Sequence, residues 1–140
     1  MNAFTREDLA RFQAEPLDGK FQRSLAKVAE WYSYWNDAVY VAFSGGKDST
    51  VLADICGRWC YVRGIPLYLV YVDTGLEYPE IKLHVKVVAA YLRWKYGIEV
   101  VLDIIRPKMR FDEVIKKRIK EVGYKQFYKE LEEEYEDLEE

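Results

Sequence analysis

Three apolar runs each stop abruptly at a polar cluster, and this pattern constrains the fold more than any other feature of the chain. Residues 38–43 (AVYVAF) run into SGGKDST, residues 67–72 (LYLVYV) into DTG, and residues 98–105 (IEVVLDII) into RPK. The runs are rich in β-branched and aromatic residues, which suit buried strands. Between them lie helical stretches. Residues 50–62 read as one helix with Gly64 as its stop, and a longer one starts at Pro79 and stops at Gly97. Connections of that length belong to right-handed parallel units. Continuous apolar strands predict a sheet covered on both faces. The expected fold class is α/β, a doubly wound parallel sheet with three recognisable strands and flanking helices. Such sheets bind ligands outside the carboxyl ends of their strands, where all three polar clusters fall.

The flanks read as helical. Thr5 and Asp8 form a possible capping box for a short helix reaching about Ala14, and Pro16 and Gly19 read as breaks. From Phe21, the residues Leu25, Val28, Tyr32 and Trp35 recur at helical spacing. The WYSYW cluster there is assigned to packing. The N-terminal helical segment is thus about 5–36. Residues 111–121 and 124–138 read as two helices around Gly123, making a helical C-terminal segment of about 111–140. A chain of 140 residues can bury one modest core, so residues 1–140 are expected to be a single α/β domain.

Composition excludes several classes. Half the residues are hydrophobic, so the chain should fold. No apolar run approaches the roughly 20 residues of a membrane span, and the start lacks the apolar stretch of a signal peptide. The expectation is a cytoplasmic protein without membrane contact. Cys56 and Cys60 share a helix face and read as small buried residues, with no disulfide framework. His84, the only histidine, falls inside the long helix and is not assigned a catalytic role. Residues 130–140 hold eight of the 24 acidic residues and no base, which leaves 21 basic against 16 acidic residues elsewhere. A mildly basic body suits an anionic ligand; it does not indicate nucleic acid.

SGGKDST supplies what an anion needs. Glycines at a strand-to-helix turn let backbone amides approach a ligand closely. The helix that follows offers unpaired N–H groups and the positive end of its dipole. Lys47 adds a charge, and Ser44, Ser49 and Thr50 add hydroxyls. The Walker pattern fails, because Asp48 follows Gly46-Lys47 and Val41 stands where the first glycine belongs. The dinucleotide pattern GxGxxG fails because Gly45 and Gly46 are adjacent. SGGxDS fits without a mismatch.

That loop, followed in order by YVDTGLEYPEI and IRPKMRFDEVIKK, resembles the phosphoadenosine phosphosulfate (PAPS) reductase family of the adenine nucleotide α-hydrolase-like superfamily, whose SGGxDS loop is the PP-loop. The resemblance covers roughly residues 21–120. It implies that Ser44, Gly45, Gly46, Lys47, Asp48, Ser49 and Thr50 surround the phosphates of ATP, with Lys47 and Asp48 catalytic and Asp48 holding Mg²⁺. It places Asp73, Thr74 and Gly75 at the adenosine and ribose side, and gives Arg106 a phosphate or sulfate to meet. The implied activity is cleavage of ATP between the α- and β-phosphates, or transfer at the α-phosphate to an unknown acceptor. A sulfonucleotide (PAPS or adenosine phosphosulfate, APS) is the alternative ligand, and a binding module without turnover the alternative role. Family members are longer and bring at least one further strand. Three strands therefore imply a short sheet, or one completed by a homodimer or a partner subunit. Sulfonucleotide reductases also carry a nucleophilic cysteine near the C-terminus, and no cysteine follows Cys60.

Overall fold

The computed structural model describes residues 4–136, with side chains described to residue 132. The chain opens with α1 (Arg6–Ala14) and α2 (Leu17–Tyr34). Three strands then alternate with two helices: β1 (Val41–Ala42), α3 (Lys47–Arg63), β2 (Leu67–Val72), α4 (Pro79–Tyr96) and β3 (Val100–Ile105). α5 (Phe111–Val122) and α6 (Tyr124–Glu136) follow. The strands form one parallel sheet in the order β1-β2-β3, so the expected α/β class holds.

The element ends have local causes. The Thr5–Asp8 capping box forms as expected, with Thr5 Oγ1 accepting from the Asp8 N–H at 3.1 Å. α2 begins four residues earlier than Phe21, because Pro16 takes the position before the helix and Gly19 falls inside its first turn. A Cβ on Gly19 would lie 2.7 Å from the Glu15 side chain, so glycine there leaves room for the Glu15–Arg23 ion pair. α3 also begins early, at Lys47 instead of Thr50. β1 is far shorter than residues 38–43, although Phe43 still donates to the Val70 carbonyl at 2.8 Å. β3 starts at Val100, two residues after Ile98. Leu138 and the rest of 137–140 lie outside the described residues.

Among the described residues only one face of the sheet is packed, where cover on both faces is expected. In register, Val41, Leu69 and Leu102 point the same way, and Leu67, Leu69, Tyr71 and Val100 are buried on that face. α3 and α4 lie against it, contributing Ala53, Cys56, Cys60, Val85, Ala89 and Leu92, and α2 adds Val28 and Tyr32. α3 and α4 approach closely because Gly57 has no side chain, and a Cβ there would sit 3.1 Å from the Tyr96 ring. On the other face Tyr40, Tyr68, Val72 and Ile105 are exposed. The apolar runs are therefore continuous in sequence, yet β2 alternates buried and open. The aromatic cluster of α2 splits in the same way. Tyr32 is buried, with Cys60 Sγ 3.5 Å from its hydroxyl, whereas at the surface Trp31 stacks on Tyr34 and Trp35 meets both edge-to-face. No helix among the described residues is long and apolar enough to cross a membrane.

Candidate functional site

The three strands are parallel, so their polar ends lie at one end of the sheet. The loop after β1 is shorter than SGGKDS, because α3 absorbs Lys47, Asp48 and Ser49 as its first turn. Gly46 is the residue that precedes the helix, in extended conformation with no side chain to cap it. Asp48 is therefore not a capping residue. The N–H groups of Lys47, Asp48 and Ser49 precede the helix's own hydrogen-bond ladder.

The hydroxyls hold the loop's shape. Ser44 Oγ accepts from the Gly46 N–H at 3.3 Å and lies 3.1 Å from Ser49 Oγ. Ser49 Oγ and Thr50 Oγ1 both donate to the Gly46 carbonyl, at 3.1 and 2.8 Å. Lys47 and Asp48 are the reverse case. Their side chains are 92 % exposed, and Nζ lies 3.6 Å from the carboxylate. So exposed a pair is worth little, and a ligand can replace it.

Gly45 is in the left-handed region at φ +81°, and a Cβ there would meet Val85 at 3.0 Å and Ile81 at 3.4 Å. Its missing side chain makes room for α4. The expectation that a ligand phosphate would occupy that space is corrected: α4 already fills it. Around Gly46 the nearest atom to an added Cβ is its own neighbour Ser44 Oγ, at 3.4 Å, so the mouth of the loop is open at Gly46. His84 sits beside the Gly45 contact, its Cδ2 3.8 Å from where a Cβ on Gly45 would lie.

The ends of β2 and β3 are built the other way. Asp73 is 7 % exposed, accepts from Lys82 Nζ at 2.8 Å and pairs with Arg106 Nε at 3.3 Å. The Lys82 hydrogen bond, aided by the Gly75 N–H and the Arg106 charge, holds its carboxyl below the usual aspartate range. Glu77 ties down the turn through Thr74 Oγ1 at 2.6 Å and the Gly75 N–H at 3.1 Å, and the Thr74 hydroxyl is the main reason its carboxyl is also lowered. Arg110 reaches over Gly75, whose added Cβ would lie 3.2 Å from Arg110 Nε. Together Asp73, Thr74, Gly75, Lys82, Arg106 and Arg110 line a small pocket of about 280 Å³. Sequence reasoning found Arg106 but missed Lys82 and Arg110. Lys82 reaches Asp73 across a tertiary contact that the spacing of lysines along α4 does not reveal. Tyr71 lies just before this turn, and its buried hydroxyl has no partner among the described residues.

The family model for the PP-loop domain matches residues 17–138. This chain belongs to the PP-loop family. Neither a curated protein nor a solved structure gives a match. The match begins at the first residue of α2 and takes in the whole sheet. The PP-loop domain brings adenine-nucleotide binding and chemistry of the pyrophosphatase kind, and such domains bind ATP, typically with Mg²⁺. No group of three or more His, Cys, Asp or Glu converges among the described residues. An exposed carboxylate on an anion-binding loop nevertheless fits Mg²⁺, which keeps most of its waters and takes phosphate oxygens from a nucleotide.

Proposed function

We propose that this PP-loop protein binds ATP through Ser44–Thr50 and transfers its adenylyl group to an unidentified acceptor. The carrying observation is the loop after β1: its mouth open at Gly46, its first-turn N–H groups outside the helix ladder, and Lys47 and Asp48 exposed beside them. Phosphates at the N-terminus of α3 would meet N–H groups and the positive dipole end. Lys47 pairs with the β-phosphate side, and Asp48 would hold Mg²⁺. Bound Mg²⁺ would supply charge neutralisation at the phosphates. An acceptor nucleophile attacks the α-phosphorus and forms a new bond. The bond to the bridging oxygen breaks, and pyrophosphate leaves with the electron pair, its developing charge met by the loop N–H groups and Lys47. Asp73, Thr74, Gly75 and Arg106 bound the other side of the nucleotide. Asp73 serves there as the anchor of Lys82 and Arg106, since its carboxylate is already engaged.

A sulfonucleotide is the second reading, favoured by the basic pocket of Lys82, Arg106 and Arg110. It would be bound and not reduced by this chain's thiols. Burial pushes the Cys56 thiol up to about 12 and raises Cys60 as well, so neither is a thiolate at neutral pH. In the first reading, turnover takes place in the cytoplasm and draws on a second copy or a partner subunit.

Calorimetric titration of ATP with Mg²⁺, and separately of PAPS, tests the reading. ATP should bind, and Lys47→Ala should weaken it by about 10- to 100-fold, the worth of a charge-assisted contact. Preference for PAPS moves the protein to sulfonucleotide binding. Unchanged ATP affinity in Lys47→Ala sinks the placement of the phosphates.

A further inference from the structure

We infer, building on the ATP reading, that the imidazole of His84 binds the terminal phosphates of the nucleotide from the α4 side of the loop. α3 and α4 each follow a strand of the same parallel sheet, so both start at its carboxyl end. Their register is staggered. Asp54 of α3 accepts from Lys95 Nζ at 2.6 Å and from the Tyr96 hydroxyl at 3.1 Å, both in the last turn of α4. Gly45, just before α3, lies against Ile81, His84 and Val85 of α4. The first turn of α4 therefore stands beyond the start of α3, and His84 is level with the loop.

His84 is also on the side of α4 that faces α3. It precedes Lys95 by about three turns at ~3.6 residues each, so the two share one stripe of the helix. Lys95 is tied to α3 through Asp54, which fixes the direction of that stripe. Lys82, two residues before His84, is about 200° around the helix from it and reaches Asp73 instead. The start of α4 thus stands between the two loops, with Lys82 committed to one and His84 beside the other. His84 is exposed, and its side chain makes no hydrogen bond or ion pair with another described residue. Neutral imidazole keeps one N–H donor, so it can serve a phosphate oxygen without gaining a proton. The strand ends at Asp73, Thr74 and Gly75 bound the nucleoside side. A group in the helix layer, beside the N-terminus of α3, meets the far end of the polyphosphate. In adenylyl transfer that end leaves as pyrophosphate, and the hydrogen bond from His84 goes with it; His84 neither takes nor gives a proton.

Solution NMR of the full chain tests this directly, because a single histidine gives a single set of imidazole signals. Saturating Mg²⁺ and ATP should shift them, and so should Mg²⁺ and pyrophosphate. By calorimetry, His84→Ala should weaken ATP binding about 10-fold, the worth of one hydrogen bond to a charged group, while the melting temperature stays within ~2 °C of the parent. Imidazole signals that do not move in a sample saturated with ATP overturn the inference. So does a His84→Ala variant that binds ATP as tightly as the parent. If Lys47→Ala still loses ATP in either case, the nucleotide reading stands and only the part given to His84 falls. A parent chain that binds no ATP overturns both.

Discussion

The loops after β1 and β2 hold equivalent places, each at the carboxyl end of a parallel strand, yet they are built in opposite ways. After β1 the charged side chains stand in water and the hydroxyls brace the backbone. After β2 the carboxylate is buried and held by two cations, and Glu77 closes the turn. The first loop keeps its charges for a ligand. The second uses its charges to hold its own shape. The difference teaches that a polar cluster at a strand end is a candidate for binding only in those groups that the fold leaves uncommitted.

The largest expected effect is Gly45→Val. A β-branched residue at φ +81°, driven against Val85 and Ile81, should cost about 3 kcal/mol or more of stability, measured by urea unfolding. A variant as stable as the parent would show that the loop does not rest on α4. Asp73→Asn should come next, lowering the melting temperature by several degrees while leaving the β1 loop intact. Its folded-state carboxyl is depressed, so the parent's Asp73 stabilisation is complete above the ordinary aspartate range, near pH ~4, and disappears as pH falls through the lowered value. Parent and variant should therefore differ at pH 7 and converge in strong acid. A difference that persists in acid would mean that the ion pairs are not the cause. Lys47→Ala should leave the melting temperature unchanged within ~1 °C while losing ATP affinity, because its exposed pair contributes almost nothing. A large drop in stability would erase the contrast between the two loops. Tyr71→Phe should be neutral or gain up to ~1 kcal/mol, since it removes a buried hydroxyl that no described group satisfies. A loss would mean that water or ligand satisfies that oxygen.

Much of this arrangement is legible in the residues. SGGKDST after an apolar run encodes the strand-to-helix turn, and Pro79, Gly64 and Gly97 mark helix ends that the structure keeps to within a residue or so. The one-sided cover is not legible, because Leu67 and Tyr68 are equally apolar and only the absence of packing beyond β2 separates them. Lys82 escaped for a similar reason: its partner Asp73 lies across a tertiary contact. Gly45 looked like a ligand requirement, and α4, more than thirty residues later, supplies the actual neighbour.

The place of β1 in the sheet has a consequence for amide hydrogen exchange. Among the described residues β2 has a strand on each side, whereas β1 has one neighbour and two ladder residues. Amides of Leu69 and Tyr71 should be among the slowest to exchange, and those of Val41 and Phe43 markedly faster. The PP-loop therefore hangs from the least protected strand. A nucleotide that clamps Gly46 and the first turn of α3 should slow exchange at Phe43 far more than at Leu69, so occupancy of the site would be written into the protection of its own support.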